Sequence, residues 1–157
     1  MGFFKNIFKT RKTKDTYEGY STELKNFCEY RDKYQNVWNL YAEYKEKINY
    51  YYYNYINTKN HSDFNSLLIY CQKYNDILPK IEAAKKEDTR VNGTIYEKDT
   101  YSLVHHRLAM AYEKAECYNS AINICNEAIA KGYTDGTKGG FEARLERLKK
   151  KQFETMH

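Results

Sequence analysis

The chain holds one proline and seven glycines in 157 residues. Both are far below ordinary usage. So few turn formers exclude a many-stranded sandwich or barrel, which needs turn signals at short, regular intervals. No apolar run approaches the length that a transmembrane helix requires. Close cysteine pairs are missing as well. Cys28, Cys71, Cys117 and Cys125 include no C-x-x-C spacing, which removes the common zinc and redox motifs. The four thiols read as small hydrophobes in a reducing, cytoplasmic setting. What is abundant is tyrosine: 18 of them, in a chain that is 17% aromatic and 30% charged. That is too aromatic for a disordered chain, and the length suits one domain. Together these features predict an all-helical domain.

The net charge of +5 is unevenly placed. Residues 1–14 carry five bases and no acid, and residues 138–151 carry six bases and two acids. Residues 15–137 carry 15 bases against 18 acids. A nucleic-acid binder gathers its charge on one face of the folded body. Here it sits at the two ends, so a dedicated nucleic-acid surface is not expected. Residues 1–14 form a basic amphipathic leader, with Phe3, Phe4, Ile7 and Phe8 at helical spacing among Lys5, Lys9 and Arg11. Such a segment either lies peripherally in a membrane interface or docks its phenylalanines on the body. Its apolar content is too small for a secretory signal. Asn6 stands where a myristoylation signal has Ser or Thr.

Between Gly19 and Pro79 there is no other glycine or proline. Inside that stretch Phe27, Tyr30, Tyr34, Val37, Tyr41, Tyr44, Ile48, Tyr51 and Tyr55 alternate at spacings of 3 and 4. This is a four-heptad seam, with Leu24 extending it and Trp38 and Tyr52 widening it. It predicts one long helix over 22–57, with polar 31–36 as the place for a break. The seam is expected to be buried within one chain, giving a monomer; a two-chain coiled coil is the alternative. A second helix is predicted over 63–88, capped by Ser62 or Asp63 and kinked or restarted at Pro79. Residues 89–99 read as a polar loop. Further helices follow over 100–116, 119–131 and 141–153, with Gly132 as a C-cap.

The stretch 102–133, SLVHHRLAMAYEKAECYNSAINICNEAIAKGY, resembles a single tetratricopeptide repeat. Leu108, Ala109 and Tyr112 match its first helix, and Tyr118, Ala121, Cys125 and Ala128 its second. Small Ala109, Ala121 and Ala128 let two antiparallel helices approach closely. Two positions depart: His105 stands where tryptophan is usual, and Tyr133 where proline is usual. One such unit cannot bury its face alone, so neighbouring helices must cover it. A weaker echo lies upstream. Phe64, Asn65, Ser66 and Cys71 repeat the spacing of Tyr118, Asn119, Ser120 and Cys125. The resemblance implies a short α-solenoid or antiparallel bundle. It also implies a concave groove for a peptide or partner protein, faced by Leu103, His106, Met110, Glu113 and Lys114. The variant of the family that clamps a terminal carboxylate uses Lys and Asn at such positions, which His106 and Met110 do not supply.

Other chemistry was weighed on spacing. His105 and His106 are adjacent and point about 100° apart on a helix, so they do not chelate one ion together. No metal site, cofactor or catalytic constellation is expected. The glycine-rich stretch Asp135–Gly140 lacks the order of a phosphate-binding P-loop and reads as a structural loop. Lys138, Arg144 and Arg147 form a basic patch that would favour an acidic neighbour. The expected organisation is a leader (1–14) and one all-α domain (15–157). Its Tyr-rich helices occupy 15–88, and the repeat-like hairpin with its cap helix occupies 100–157. The expected role is a protein-interaction adaptor. The alternative is a membrane-surface or nucleic-acid-associated protein acting through its basic ends.

Overall fold

A computed structural model describes residues 17–157; the leader and its Phe3, Phe4, Ile7 and Phe8 lie outside the described residues. Among the described residues the protein is all-α, with five helices. Helix α1, Thr22–Thr58, runs unbroken for 37 residues, or about 55 Å. The Ser21 hydroxyl accepts from the Leu24 amide at one end, and left-handed Lys59 closes the other. The expected break at 31–36 does not occur. Its polar residues lie on the outer face while Tyr34 stays buried, so the helical register carries through.

Helix α2, His61–Asn92, starts two residues earlier than expected, because Asn60 rather than Ser62 or Asp63 is the cap. Its Oδ1 accepts from the Ser62 amide at 2.9 Å. Pro79 does not restart the helix. Its ring is exposed, while buried Ile81 and half-buried Leu78 hold the apolar face on both sides. The helix also runs past 88, since nothing breaks it before Gly93, whose φ of 68° suits a left-handed cap. The Glu87–Arg90 pair and the Thr89 hydroxyl bond to the Lys85 carbonyl brace its polar last turns.

Helices α1 and α2 form a long antiparallel hairpin. Tyr41 stacks on Tyr74 at 5.3 Å, Tyr51 on Tyr70 at 5.6 Å, and Tyr55 tilts against Phe64 at 4.9 Å. Ile48, Leu67 and Ile81 are sealed from solvent. The tyrosine seam is thus covered by α2 of the same chain. Its first turns are an exception. Leu24 and Phe27 are 46% and 44% exposed, because the last turns of α2 opposite them are polar.

Residues 93–102 then run extended to α3, Leu103–Lys114. A bend leads to α4, Tyr118–Ala130, and a glycine-rich loop to α5, Gly140–Met156. Helix α3 packs on both α1 and α4, and α4 on α5. Ala109, Ala121, Cys125, Ala128, Phe141 and Leu148 form one fully buried core among α3, α4 and α5. Burying Phe141 alone contributes about 1.5–3 kcal/mol. No described helix is long and apolar enough to cross a membrane.

Candidate functional site

Helices α1, α3 and α5 meet at a cleft of about 440 Å³. Tyr52 and Ile56 of α1 and Met110 of α3 supply its apolar surface. Lys59, Glu113, Lys114, Glu116 and Lys151 supply the polar rim. Periodicity puts Tyr52, Ile56 and Lys59 on one side of α1 and Met110, Glu113 and Lys114 on one side of α3, and the packing of the helices brings the two sides together. The helices are fastened at this point. The Tyr52 hydroxyl lies 3.3 Å from Met110 Sδ, and Arg107 donates from Nε to Asn49 Oδ1 at 2.9 Å. The Arg107 guanidinium also covers the Tyr52 ring at 4.6 Å.

Of the five residues expected to face a groove, Met110, Glu113 and Lys114 line this cleft. Leu103 does not. It is 6% exposed and belongs to the core shared by α1, α2 and α3. His106 is also turned away: its Nδ1 pairs with the Tyr101 hydroxyl at 3.1 Å. Helix α3 begins with a side wall rather than a groove face, because α2 and the 93–102 segment cover its first turn.

Glu113 is spoken for within the chain. Lys151 Nζ lies 2.7 Å away, Arg147 Nη2 3.4 Å and Arg144 Nη1 3.5 Å. Burial pushes its carboxyl up, but the hydrogen bonds from Lys151 and Arg147 outweigh that and hold it below the usual range. Asp135 behaves likewise. Burial raises it, while Thr137 and Arg144 more than reverse the shift. Both carboxyls therefore stabilise the fold above the ordinary carboxylate range, and that stability is lost as pH falls through their lowered values.

The basic patch is accordingly corrected. Arg144 is 8% exposed and donates to Asp135 Oδ2 from Nε at 3.2 Å and Nη2 at 3.1 Å. It is a structural cation inside the α3–α5 interface. Arg147 is half-exposed and turned toward Glu113. Only Lys138 of the three remains exposed with no ion pair among the described residues. The signal that was missed is Asp135, whose place beside Arg144 depends on the loop fold and not on spacing along a helix.

No protein-family model, no curated protein and no solved structure matches the chain. Of the positions behind the repeat resemblance, Tyr112 and Tyr118 are half-buried. Leu108, Ala109, Ala121, Cys125 and Ala128 are all buried. So are Leu67, Cys71 and Tyr74, the upstream counterparts of Ala121, Cys125 and Ala128. Burial pushes the Cys71 thiol up to about 12 and that of Cys125 to about 11, so both stay protonated and unreactive. The two departures from the pattern, His105 and Tyr133, touch one another, with ring centres 5.2 Å apart.

His105 also sits between Ser102 Oγ, 2.6 Å from Nδ1, and Glu127 Oε1, 3.4 Å from Nε2. Serine, histidine and carboxylate in that order invite comparison with a catalytic relay. Ser102 Oγ, however, is the N-cap of α3 and accepts from the His105 amide at 3.3 Å. Ser102 is thus a simple N-cap; its own amide donates to the Thr134 carbonyl, so His105 completes no reciprocal capping box. Burial holds the imidazole below its usual range, so it stays neutral at pH 7.

Proposed function

We propose that the protein is a small helical adaptor that holds a segment of a partner protein in the α1–α3–α5 cleft. The observation that carries this reading is the cleft itself, walled by residues of α1 and α3, with Tyr118 at the start of α4 beside them and Lys151 of α5 at its rim. An adaptor similar to tetratricopeptide repeat proteins presents its groove in this manner. The upstream hairpin would then act as a degenerate first repeat and α5 as a cap. The surface favours a segment with an apolar side chain for Tyr52, Ile56 and Met110 and an acidic one beside it. Lys59 and Lys114 have no ion pair among the described residues, against one such carboxylate in the lining, Glu116, so the rim keeps a small positive excess, whereas Glu113 is already neutralised by α5.

The membrane or nucleic-acid alternative loses part of its basis, since Arg144, Arg147 and Lys151 are engaged with Glu113 and Asp135. The test is affinity capture from nuclease-treated host lysate with the wild-type chain and a Lys59→Glu/Lys114→Glu variant. A stoichiometric protein retained by the wild type and lost by a normally melting variant is the expected result. A partner held equally by both, or only salt-sensitive lipid or nucleic acid, overturns the proposal.

A further inference from the structure

A larger cavity, of about 630 Å³, opens where the 93–102 segment crosses from α2 to the start of α3. That volume falls in the range of small-ligand sites. Tyr74, Leu78 and Pro79 of α2 form one wall, and Tyr96, Lys98 and Tyr101 of the crossing segment form another. His105 and Tyr133 close the end. These are the two positions at which the repeat-like hairpin departs from its pattern, so the departures and the cavity coincide.

The crossing segment is fastened as a strap. The Tyr96 hydroxyl donates to Glu82, Lys85 pairs with Asp99, and the Thr94 hydroxyl donates to Asp88 at 2.8 Å. At its far end the Thr134 amide donates to the Thr100 carbonyl at 2.7 Å and the Ser102 amide to the Thr134 carbonyl at 3.2 Å. The cavity therefore has a built wall on the strap side.

Charge on that wall is asymmetric. Both of its carboxylates, Glu82 and Asp99, are engaged by Lys85, and Glu82 also by Tyr96. Lys86 and Lys98 also line the cavity, and neither has an ion pair among the described residues. The unspent charge is positive, and Tyr74, Tyr96, Tyr101, His105 and Tyr133 bring aromatic rings to the rest of the lining. We propose that this cavity binds a small aromatic anion, a planar ring bearing a phosphate or carboxylate. The ring would lie among the tyrosines and the charged group against Lys86 and Lys98. A flat ring matches aromatic walls by stacking, and a single anionic group matches ammonium ions that have no ion pair, of which Lys86 already lies over the Tyr96 ring at 5.8 Å. This inference does not depend on the adaptor reading, because the cavity and the cleft share no lining residue.

The test is amide NMR of the full chain titrated with AMP, 4-hydroxyphenylacetate, adenosine and inorganic phosphate. The expected result is shifts at 98–105 and 131–134 with AMP or 4-hydroxyphenylacetate. Adenosine should bind at least about fivefold more weakly, and the anion affinity should fall as salt rises. Binding of AMP alone assigns the phosphate, and of 4-hydroxyphenylacetate alone the carboxylate. A Lys86→Glu/Lys98→Glu variant of exposed side chains should melt like wild type and lose at least about fivefold in affinity. The proposal is overturned by equal binding of AMP and adenosine, or by phosphate alone binding as well as AMP. Shifts confined to the α1–α3–α5 cleft, or no shifts with either aromatic anion, overturn it too.

Discussion

The two halves of this protein solve the same packing problem with opposite materials. The α1–α2 hairpin brings large rings together, with Tyr41 on Tyr74 and Tyr51 on Tyr70. The α3–α5 unit removes side chains instead, so that Ala109, Ala121 and Ala128 let helices touch. Rings leave polar tips at the surface and tolerate adjustment. Alanine contacts leave no slack, and the unit adds a buried ion pair, Arg144 with Asp135, that fixes its loop. Long hairpins gain from length, whereas short helices need close approach and a specific anchor.

Three substitutions sharpen or break that contrast. Arg144→Ala should have the largest effect, about 3–5 kcal/mol, because it leaves Asp135 buried without its cation. Urea unfolding gives the loss, and hydrogen exchange should show it concentrated in α4 and α5. Uniform deprotection of α1 and α2 would mean that the halves do not differ. Ala121→Leu comes next, at about 1–3 kcal/mol, since overpacking a sealed contact forces the helices apart. A neutral result in the same unfolding assay would show that α3 and α4 are not closely apposed. Tyr70→Leu should cost least, about 0.5–1.5 kcal/mol, as the edge-on neighbour Tyr44 and the stacked neighbour Tyr51 keep most of their burial. A thermal shift as large as that of Arg144→Ala would place both halves under the same constraint.

The helices were legible because their signals are local. The 3-and-4 spacing of α1, the scarcity of glycine and proline, and Gly132 after α4 all act within a few residues. Errors arose where a local signal had a competitor. Asn60 outbid Ser62 as a cap, and Pro79 yielded to the apolar face around it. The groove was partly legible. The repeat resemblance pointed to Met110, Glu113 and Lys114, which line the cleft, but also to Leu103, which is covered by α2. Tyr52, Lys59 and Lys151 join the cleft from distant parts of the chain, and no spacing rule connects them to α3.

By itself the sequence determined the all-α class, the extent of most helices and which face of each is apolar. Those properties depend on neighbours three or four residues apart. Tertiary structure alone decided that Arg144 is a buried structural cation rather than a surface charge. It also decided that Glu113 is neutralised by α5, and that His105 and Tyr133 meet at the end of a cavity. Each of these is a matter of which residues from separate segments share one small volume. A charge in that volume is worth keeping only if its partner arrives with it.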